Sequence, residues 1–264
     1  MSKELFAIFG DPVSHSKSPL MHNRAFRGLG YPGCYTRYRL LDGERLREKF
    51  FSLDLRGINV TVPHKEAAYR ACDELDDFAR KVGAVNTIVQ RQGKLHGYNT
   101  DAPGFLRAIE TLGGQDILFL GAGGTARATA AVLRDAGYRV TLLNRSAARL
   151  EPFREAGFEV HTWEDFRPRP FDLVVNMTSA GLKDEALPAP EALLKPLLEE
   201  AKGAVDVVYG RQTPFLALAQ AYGLPAKDGS DMLLYQGVIA FDLFTGGLYC
   251  AEEIEAWMRK AFDE

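Results

Sequence analysis

Cysteine is scarce in this chain. Its 264 residues hold three, Cys34, Cys72 and Cys250, scattered and without a CxxC pair, which argues against both a disulfide framework and a zinc or other metal site. A surplus of one charge is missing too. Lys and Arg number 32 against 35 Asp and Glu, a formal net charge of -3, so neither a nucleic acid nor an anionic membrane is suggested as a partner. No apolar run approaches the ~20 residues that cross a bilayer. The opening Met1-Ser2-Lys3-Glu4-Leu5 lacks the basic start and apolar stretch of a secretion signal, and the expected compartment is the cytoplasm. What remains is an ordinary folded composition, 46% hydrophobic and 25% charged, in a length that suits one large domain or two modest ones.

Apolar runs alternate with helical patterns from the start. Residues 5–9 read as a buried strand closed by Gly10. Ser18-Pro19 reads as the N-cap and first-turn proline of a helix reaching Phe26 and ending at Gly28 to Gly30. Strands are expected at 34–40 and 58–62, with a helix over 44–53 between them, and residues 87–89 and 95–98 flank Gln92-Gly93 as a hairpin. One antiparallel pair among parallel connections predicts a mixed sheet covered by helices. A helix over 101–112 is broken by Gly113-Gly114, and a βαβ series follows with strands at 117–120, 139–143, 173–175 and 205–208. The tail from Asp231 is helical in pattern, with a break at Gly246-Gly247. The fold class is α/β in two parts.

Phe119-Leu120 leads into Gly121-Ala122-Gly123-Gly124-Thr125-Ala126, a G-x-G-x-x-A at a strand-to-helix junction. Gly121 permits the tight turn, Gly123 lets a pyrophosphate approach the backbone, and Ala126 keeps helix and strand close. Amides at that helix start face the anion. A glycine turn alone is common; here the strand before it, the Ala-rich helix 127–136 and the strand after it all match. The next strand ends at Asn144-Arg145-Ser146, with Arg149 one turn further. An NAD site usually carries Asp or Glu there, which would repel a 2′-phosphate. Arg145 instead offers a planar cation that pairs with phosphate, so NADP(H) is the expected cofactor, although arginines at a helix start are more often simply solvated.

Three polar segments in the first half have no periodic explanation. Ser14-His15-Ser16-Lys17-Ser18 follows a strand directly. Asn59, Thr61 and Lys65 gather at a strand's carboxyl end, where open α/β sheets bind ligands. Asn86, Asn99 and Asp101 add two amides and a carboxylate. Taken singly, each has a dull reading as a turn former, a helix cap or an exposed lysine.

Together they resemble the shikimate dehydrogenase family. The likeness runs through the S-x-S loop at Ser14 and Ser16, N-V-T-x-P-x-K at Asn59 to Lys65, G-A-V-N-T at Gly83 to Thr87, and N-T-D at Asn99 to Asp101. It continues through the Gly121 turn, Asn144-Arg145-Ser146, Asn176 to Gly181, Thr213 to Leu216, Asp228-Gly229, Met232-Leu233 and Gln236-Gly237. Tyr209-Gly210-Arg211 departs from it, since many relatives carry Asn-Pro after the tyrosine.

The resemblance implies an N-terminal mixed-sheet substrate domain over 1–101, completed by helices at about 237–264, and a Rossmann-like NADP domain over 102–236, with a cleft between them. It implies Ser14, Ser16, Asn59, Thr61, Asn86, Asp101, Tyr209 and Gln236 against shikimate, and Lys65 with Asp101 as the catalytic pair. Val207, Gly229 and Met232 would lie near the nicotinamide. Thr178 joins Gly121 to Ala126 and Asn144 to Ser146 as cofactor contacts, with Asp77 as a marginal one. The implied activity is reduction of 3-dehydroshikimate to shikimate, with a monomer and a homodimer both open. A broader quinate/shikimate enzyme using NAD, and a nucleotide sensor without turnover, are the competing readings. Lys65, Asp101 and Gln236 together argue against the sensor. His64 neighbours Lys65 but occupies an open slot of the motif, so a surface histidine is expected there rather than a proton relay.

Overall fold

The computed structural model describes residues 3–262. The chain divides into two compact units, one running up to Gly104 and resuming at Leu234, the other spanning Phe105–Leu233.

The first unit contains β1 (Glu4–Gly10), α1 (Ser18–Gly28), β2 (Gly33–Arg39), α2 (Leu46–Ser52), β3 (Leu55–Val60), α3 (Lys65–Ala71), β4 (Glu74–Leu75), α4 (Asp77–Val82), β5 (Thr87–Arg91), β6 (Lys94–Tyr98) and the start of α5 (Asp101–Ile109). Its six strands lie in the order β2-β1-β3-β5-β6-β4. β1 runs parallel to β2 and β3, while β5 runs antiparallel to β3 and β6. This direction pattern has a consequence for the site. The carboxyl ends of β1, β3 and β6 and the amino end of β5 all reach the same edge of the sheet, so segments far apart in sequence meet there. Gln92 and Gly93, with φ of 51° and 79°, form the tight turn between β5 and β6. Lys17, not Ser18, occupies the cap position of α1, and Pro19 falls in its first turn.

Alternation along β1 builds two cores. Phe6 packs its ring 5.0 Å from both Phe26 and Phe244, whereas Ala7 and Phe9 join Leu46, Phe50 and Ile58 on the opposite face. The first of these layers contains His22. It is fully buried, stacked on Tyr35 at 4.4 Å between ring centroids, and among the described residues neither ring nitrogen has a hydrogen-bond partner. Burial lowers its pKa to about 3. The folded chain therefore refuses a proton that the unfolded chain accepts below its ordinary 6.5. Stability is complete above that value and falls by up to about 1.4 kcal/mol per pH unit as the pH drops towards 3. Urea unfolding at pH 7 and pH 4.5 should show a smaller acid loss for His22→Phe than for the native chain, by about 2 kcal/mol. Equal losses in both proteins would remove His22 as the cause.

The second unit contains β7 (Asp116–Leu120), α6 (Gly124–Asp135), β8 (Arg139–Asn144), α7 (Ala147–Glu155), β9 (Glu159–Thr162), β10 (Leu173–Asn176), α8 (Glu191–Glu200), β11 (Gly203–Asp206), α9 (Pro214–Ala221) and β12 (Ala226–Lys227). All six strands are parallel, in the order β12-β11-β10-β7-β8-β9. Ile117 and Phe119 face one apolar layer and Leu118 and Leu120 the other, so both faces of the sheet are covered. The chain order reverses direction between β7 and β10, the switch point where such sheets bind nucleotides. The strand expected at 205–208 ends earlier, at Asp206, because the Asp206 carboxylate accepts from Val208 N at 2.9 Å and turns the chain out of the ladder. The last two helices are α10 (Ser230–Thr245) and α11 (Ala251–Arg259), and α11 packs on α1.

Candidate active site

The edge of the first sheet where these strand ends meet is organised by buried amides and hydroxyls. Asn86 Oδ1 accepts from Thr100 N at 2.8 Å, and Asn86 Nδ2 donates to Thr100 Oγ1 at 3.0 Å. Asn99 Nδ2 donates to Ala84 O at 3.1 Å. These bonds fix the segment after β6 onto the segment before β5, and so set where α5 begins. Asp101 is the first residue of α5, where a carboxylate is favoured by the helix dipole. Lys65 is the first residue of α3, and its carbonyl accepts from Val85 N at 3.0 Å. The two side chains meet: Lys65 Nζ lies 2.6 Å from Asp101 Oδ2, with 25% and 17% of the side chains exposed. A partly exposed ammonium held by a carboxylate is a proton donor with a fixed direction.

Thr61 is half-buried, and Ser16 and Asn86 are buried, at the same strand ends, while Ser14 is exposed. Ser16 Oγ bonds Ser18 Oγ at 3.2 Å, and Arg37 Nη2 holds the Ser16 carbonyl at 2.5 Å. Gln236 is buried in the first unit, so close to α5 that a Cβ on Gly104 would sit 2.9 Å from its own Cβ. Tyr209 is half-buried and lies in the second unit.

Two residues differ from their sequence reading. Asn59 points into the protein. Its Oδ1 accepts from Tyr35 Oη at 2.7 Å and its Nδ2 donates to Thr87 Oγ1 at 2.9 Å, so both ends of the amide are committed within the sheet. His64 is buried rather than on the surface, with Nε2 2.5 Å from the Leu40 carbonyl. Its ring packs on the segment after β2, where a Cβ on Gly43 would come within 2.8 Å of His64 Nδ1, and nothing in the neighbouring residues signals that contact. Asp77 opens α4, fully exposed, and pairs with Arg80 at 3.0 Å.

In the second unit, the turn after β7 sits at the switch point. Gly121 adopts φ +114°, a conformation for which glycine is suited, and a Cβ there would lie 2.6 Å from Thr178 Cγ2. Gly123 is the N-cap of α6 and Gly124 its first residue; a Cβ on either would meet nothing within 4 Å. Both glycines are exposed, so no side chain stands over this helix start to keep a phosphate from its backbone amides. Ala122 and Thr125 are half-buried beside them and Ala126 is fully buried against the sheet. Asn144 Nδ2 bonds the Ser146 carbonyl at 3.0 Å, fixing the turn at the end of β8. Arg145 and Arg149 are exposed there, and among the described residues neither forms an ion pair. Arg145 stands 6.0 Å from the ring of Trp163. That tryptophan was not anticipated. β9 is too short and irregular to read from sequence, yet it pairs with β8 and delivers Trp163 beside Arg145. Val207 and Met232 pack on the core cluster of this unit, and a Cβ on Gly229 would fall 2.3 Å from the Val207 carbonyl oxygen.

Among the described residues, no group of three or more His, Cys, Asp or Glu side chains is placed to hold a metal. No helix among them is long and apolar enough to cross a membrane.

Comparison with known proteins gives these two halves a context. A family model described as the shikimate dehydrogenase substrate binding domain matches residues 8–88. The NADP(+) shikimate dehydrogenase of Helicobacter hepaticus is 43% identical over 252 residues, covering 95% of this chain and 94% of its own length. The chain belongs to the shikimate dehydrogenase family. A second family model, ketopantoate reductase PanE/ApbA, matches residues 117–196, the stretch from β7 into α8. Within the shikimate dehydrogenase family, the Helicobacter pylori strain 26695 enzyme is 40% identical over 269 residues, covering 99% of this chain and all of its own. The solved shikimate 5-dehydrogenase of Thermus thermophilus, in complex with NADP(H) and shikimate, superposes with a TM-score of 0.85 at 40% identity, covering 98% of this chain and 99% of that one. The two-sheet α/β architecture of this chain is the architecture of that family.

Proposed function

We propose that this chain catalyses the reversible NADP-dependent reduction of 3-dehydroshikimate to shikimate, with Lys65 and Asp101 as its catalytic pair. The observation that carries the reading is the 2.6 Å contact of those two groups at the carboxyl edge of β1 and β3. Asn86, Thr61, Ser16 and Ser14 stand at the same edge.

The second unit's residues fit NADP(H). The glycines of the β7 turn leave open space over a helix N-terminus, and two unneutralised arginines stand at the end of β8. Gly121 to Ala126 would receive the pyrophosphate, and Arg145 and Arg149, with Asn144 and Ser146, the 2′-phosphate. Thr178 would contact the cofactor too, and Val207, Gly229 and Met232 would border the nicotinamide. When bound, that cofactor supplies the hydride, a step for which the side chains have no equivalent. The chain's own task is the proton. Lys65 Nζ donates to the oxygen that gains charge as the ketone is reduced, and takes the proton back in the reverse direction. Asp101 keeps the ammonium aimed. Ser14, Ser16, Thr61, Asn86 and Gln236, all in the first unit, would bind the substrate's hydroxyls and carboxylate. Buried groups left unpaired by a deoxygenated analogue would reject it. Asn59 serves this site indirectly, by fixing Thr87 and Tyr35. The three cysteines are free thiols, which suits the reducing cytoplasm in which we place the reaction.

The test is oxidation of shikimate by the purified protein with NADP+, followed by the absorbance of the reduced nicotinamide. Tight NADPH binding without turnover would favour a sensor instead. Arg145→Asp should lower the preference for NADP over NAD by about 10- to 100-fold, the worth of one charged hydrogen bond to phosphate. An unchanged preference would take the 2′-phosphate away from Arg145.

A further inference from the structure

The end of β11 holds a buried acid that the mechanism above does not use. Asp206 is completely buried. Its Oδ1 accepts from Asn176 Nδ2 at 3.1 Å and Val208 N at 2.9 Å, and its Oδ2 accepts from Thr213 Oγ1 at 2.6 Å. No Lys, Arg or His is paired with it among the described residues, and burial pushes its pKa up. A carboxyl group buried without a cation is unfavourable unless its hydrogen bonds bring something in return.

What those bonds do is join strand ends. Asn176, held by Asp206, uses its Oδ1 to accept from Thr178 N at 2.9 Å and Thr178 Oγ1 at 2.7 Å. The Thr178 methyl in turn closes on the Gly121 turn, where a Cβ would come within 2.6 Å of it. On the other side, the bond to Val208 N fixes the strand exit at Val207, whose carbonyl lies against Gly229. One carboxylate thus sets the loops after β7, β10 and β11, on the switch-point side of the sheet. None of its hydrogen bonds reaches the end of β8, where Arg145 and Arg149 stand.

We infer that Asp206 is a positioning residue for the nicotinamide-pyrophosphate half of the dinucleotide site, acting through Asn176–Thr178 and Val207–Val208. The inference rests on the NADP reading above. It makes a demand that a purely structural role does not: loss of Asp206 should weaken contacts to one half of the cofactor and spare the other.

The experiment compares NADPH with adenosine 2′-monophosphate, which carries the adenine and the 2′-phosphate but neither phosphate of the pyrophosphate. Binding of both is measured by titration calorimetry to the native protein, Asp206→Ala and Asp206→Asn, with thermal unfolding of each alongside. Asp206→Ala is expected to weaken NADPH about tenfold, on the scale of one hydrogen bond to a charged group. Binding of the 2′-monophosphate should stay within about twofold of native. In Asp206→Asn the amide can still accept from Asn176 and Val208 and donate to Thr213, so NADPH affinity should recover to within about threefold of native. Should the alanine variant fail to fold, Asn176→Ala, which breaks the same link from Asp206 to Thr178, takes its place in both titrations with the same expected tenfold loss confined to NADPH. Equal weakening of both ligands, or of neither, overturns the inference. Turnover of shikimate by the native protein is measured separately; its absence would overturn the functional reading, while the two binding titrations would still judge Asp206.

Discussion

Lys65→Ala is expected to lower kcat by about 10²–10⁴ while leaving the KM for shikimate within a few fold of native. The asymmetry follows from where the ammonium sits. Lys65 Nζ is held by Asp101 at 2.6 Å, and of the other polar groups at that edge Thr61 shares the segment of Lys65, while Ser14, Ser16 and Asn86 come from two further segments. Shikimate in its ground state can draw on those groups whether or not an amine is present. The amine matters most when charge builds on the reacting oxygen, so its removal costs mainly in the transition state, about 3–5 kcal/mol. Asp101→Asn keeps the shape but removes the fixed charge that aims the amine, and should give a smaller fall in kcat. Steady-state kinetics in the direction of shikimate oxidation at saturating NADP+ measure both. Near-native turnover in Lys65→Ala would remove Lys65 from the chemistry. A large rise in KM with unchanged kcat would make it a binding group instead.

How much of this was legible in the residues differs from place to place, for physical reasons. The turn at Gly121 was readable because a strand, a glycine pattern and an Ala-rich helix are local and mutually consistent. The hairpin at Gln92-Gly93 was readable on the same ground. The gathering of residues 14–18, 61–65, 86 and 99–101 was not. It depends on strand order and direction, with β5 antiparallel beside β3, and only the family resemblance anticipated it. Side-chain direction is where the sequence misled most. Asn59 and Asn86 share a residue type and a sheet edge, yet Asn59 Nδ2 spends both its hydrogens inside the sheet, on Thr87 Oγ1 and the Asn86 carbonyl, whereas among the described residues Asn86 Nδ2 makes one bond, to Thr100 Oγ1. Strand periodicity says that a side chain faces inward but not what waits there. Asp206 shows the same limit from the other side. It sits in an apolar run between Val205 and Val207, and its bonds to Asn176 and Thr213 span 30 and 7 residues. β4, β9 and β12 have two to four residues each, too few for a period to register, so Trp163 was missed along with the strand that carries it.

The glycine turn yields a second large effect, because two of its glycines are there for different reasons. Gly121 lies at φ +114°, and an added Cβ would sit 2.6 Å from Thr178 Cγ2. Gly121→Ala must therefore disturb the protein itself, at about 1–3 kcal/mol for the backbone conformation plus the displacement of Thr178. Gly123 has φ of -92°, which any residue adopts, and a Cβ on it would touch no other part of the chain. Gly123→Ala should unfold within about 1 kcal/mol of native, the difference between glycine and alanine at an N-cap. Yet that same Cβ would stand where a pyrophosphate must come down onto the amides of α6. On the proposed placement, its oxygens would be kept from the amides of α6 that would anchor them. NADPH affinity in Gly123→Ala should fall by about a hundredfold, equivalent to losing two charge-assisted bonds, with urea unfolding nearly unchanged. Calorimetric titration with NADPH and a denaturation curve on the same sample separate the two quantities. If Gly123→Ala bound NADPH as the native chain does, the space above that glycine would not be where the dinucleotide rests, and the proposed placement of Arg145, Thr178 and Val207 around it would fail as well.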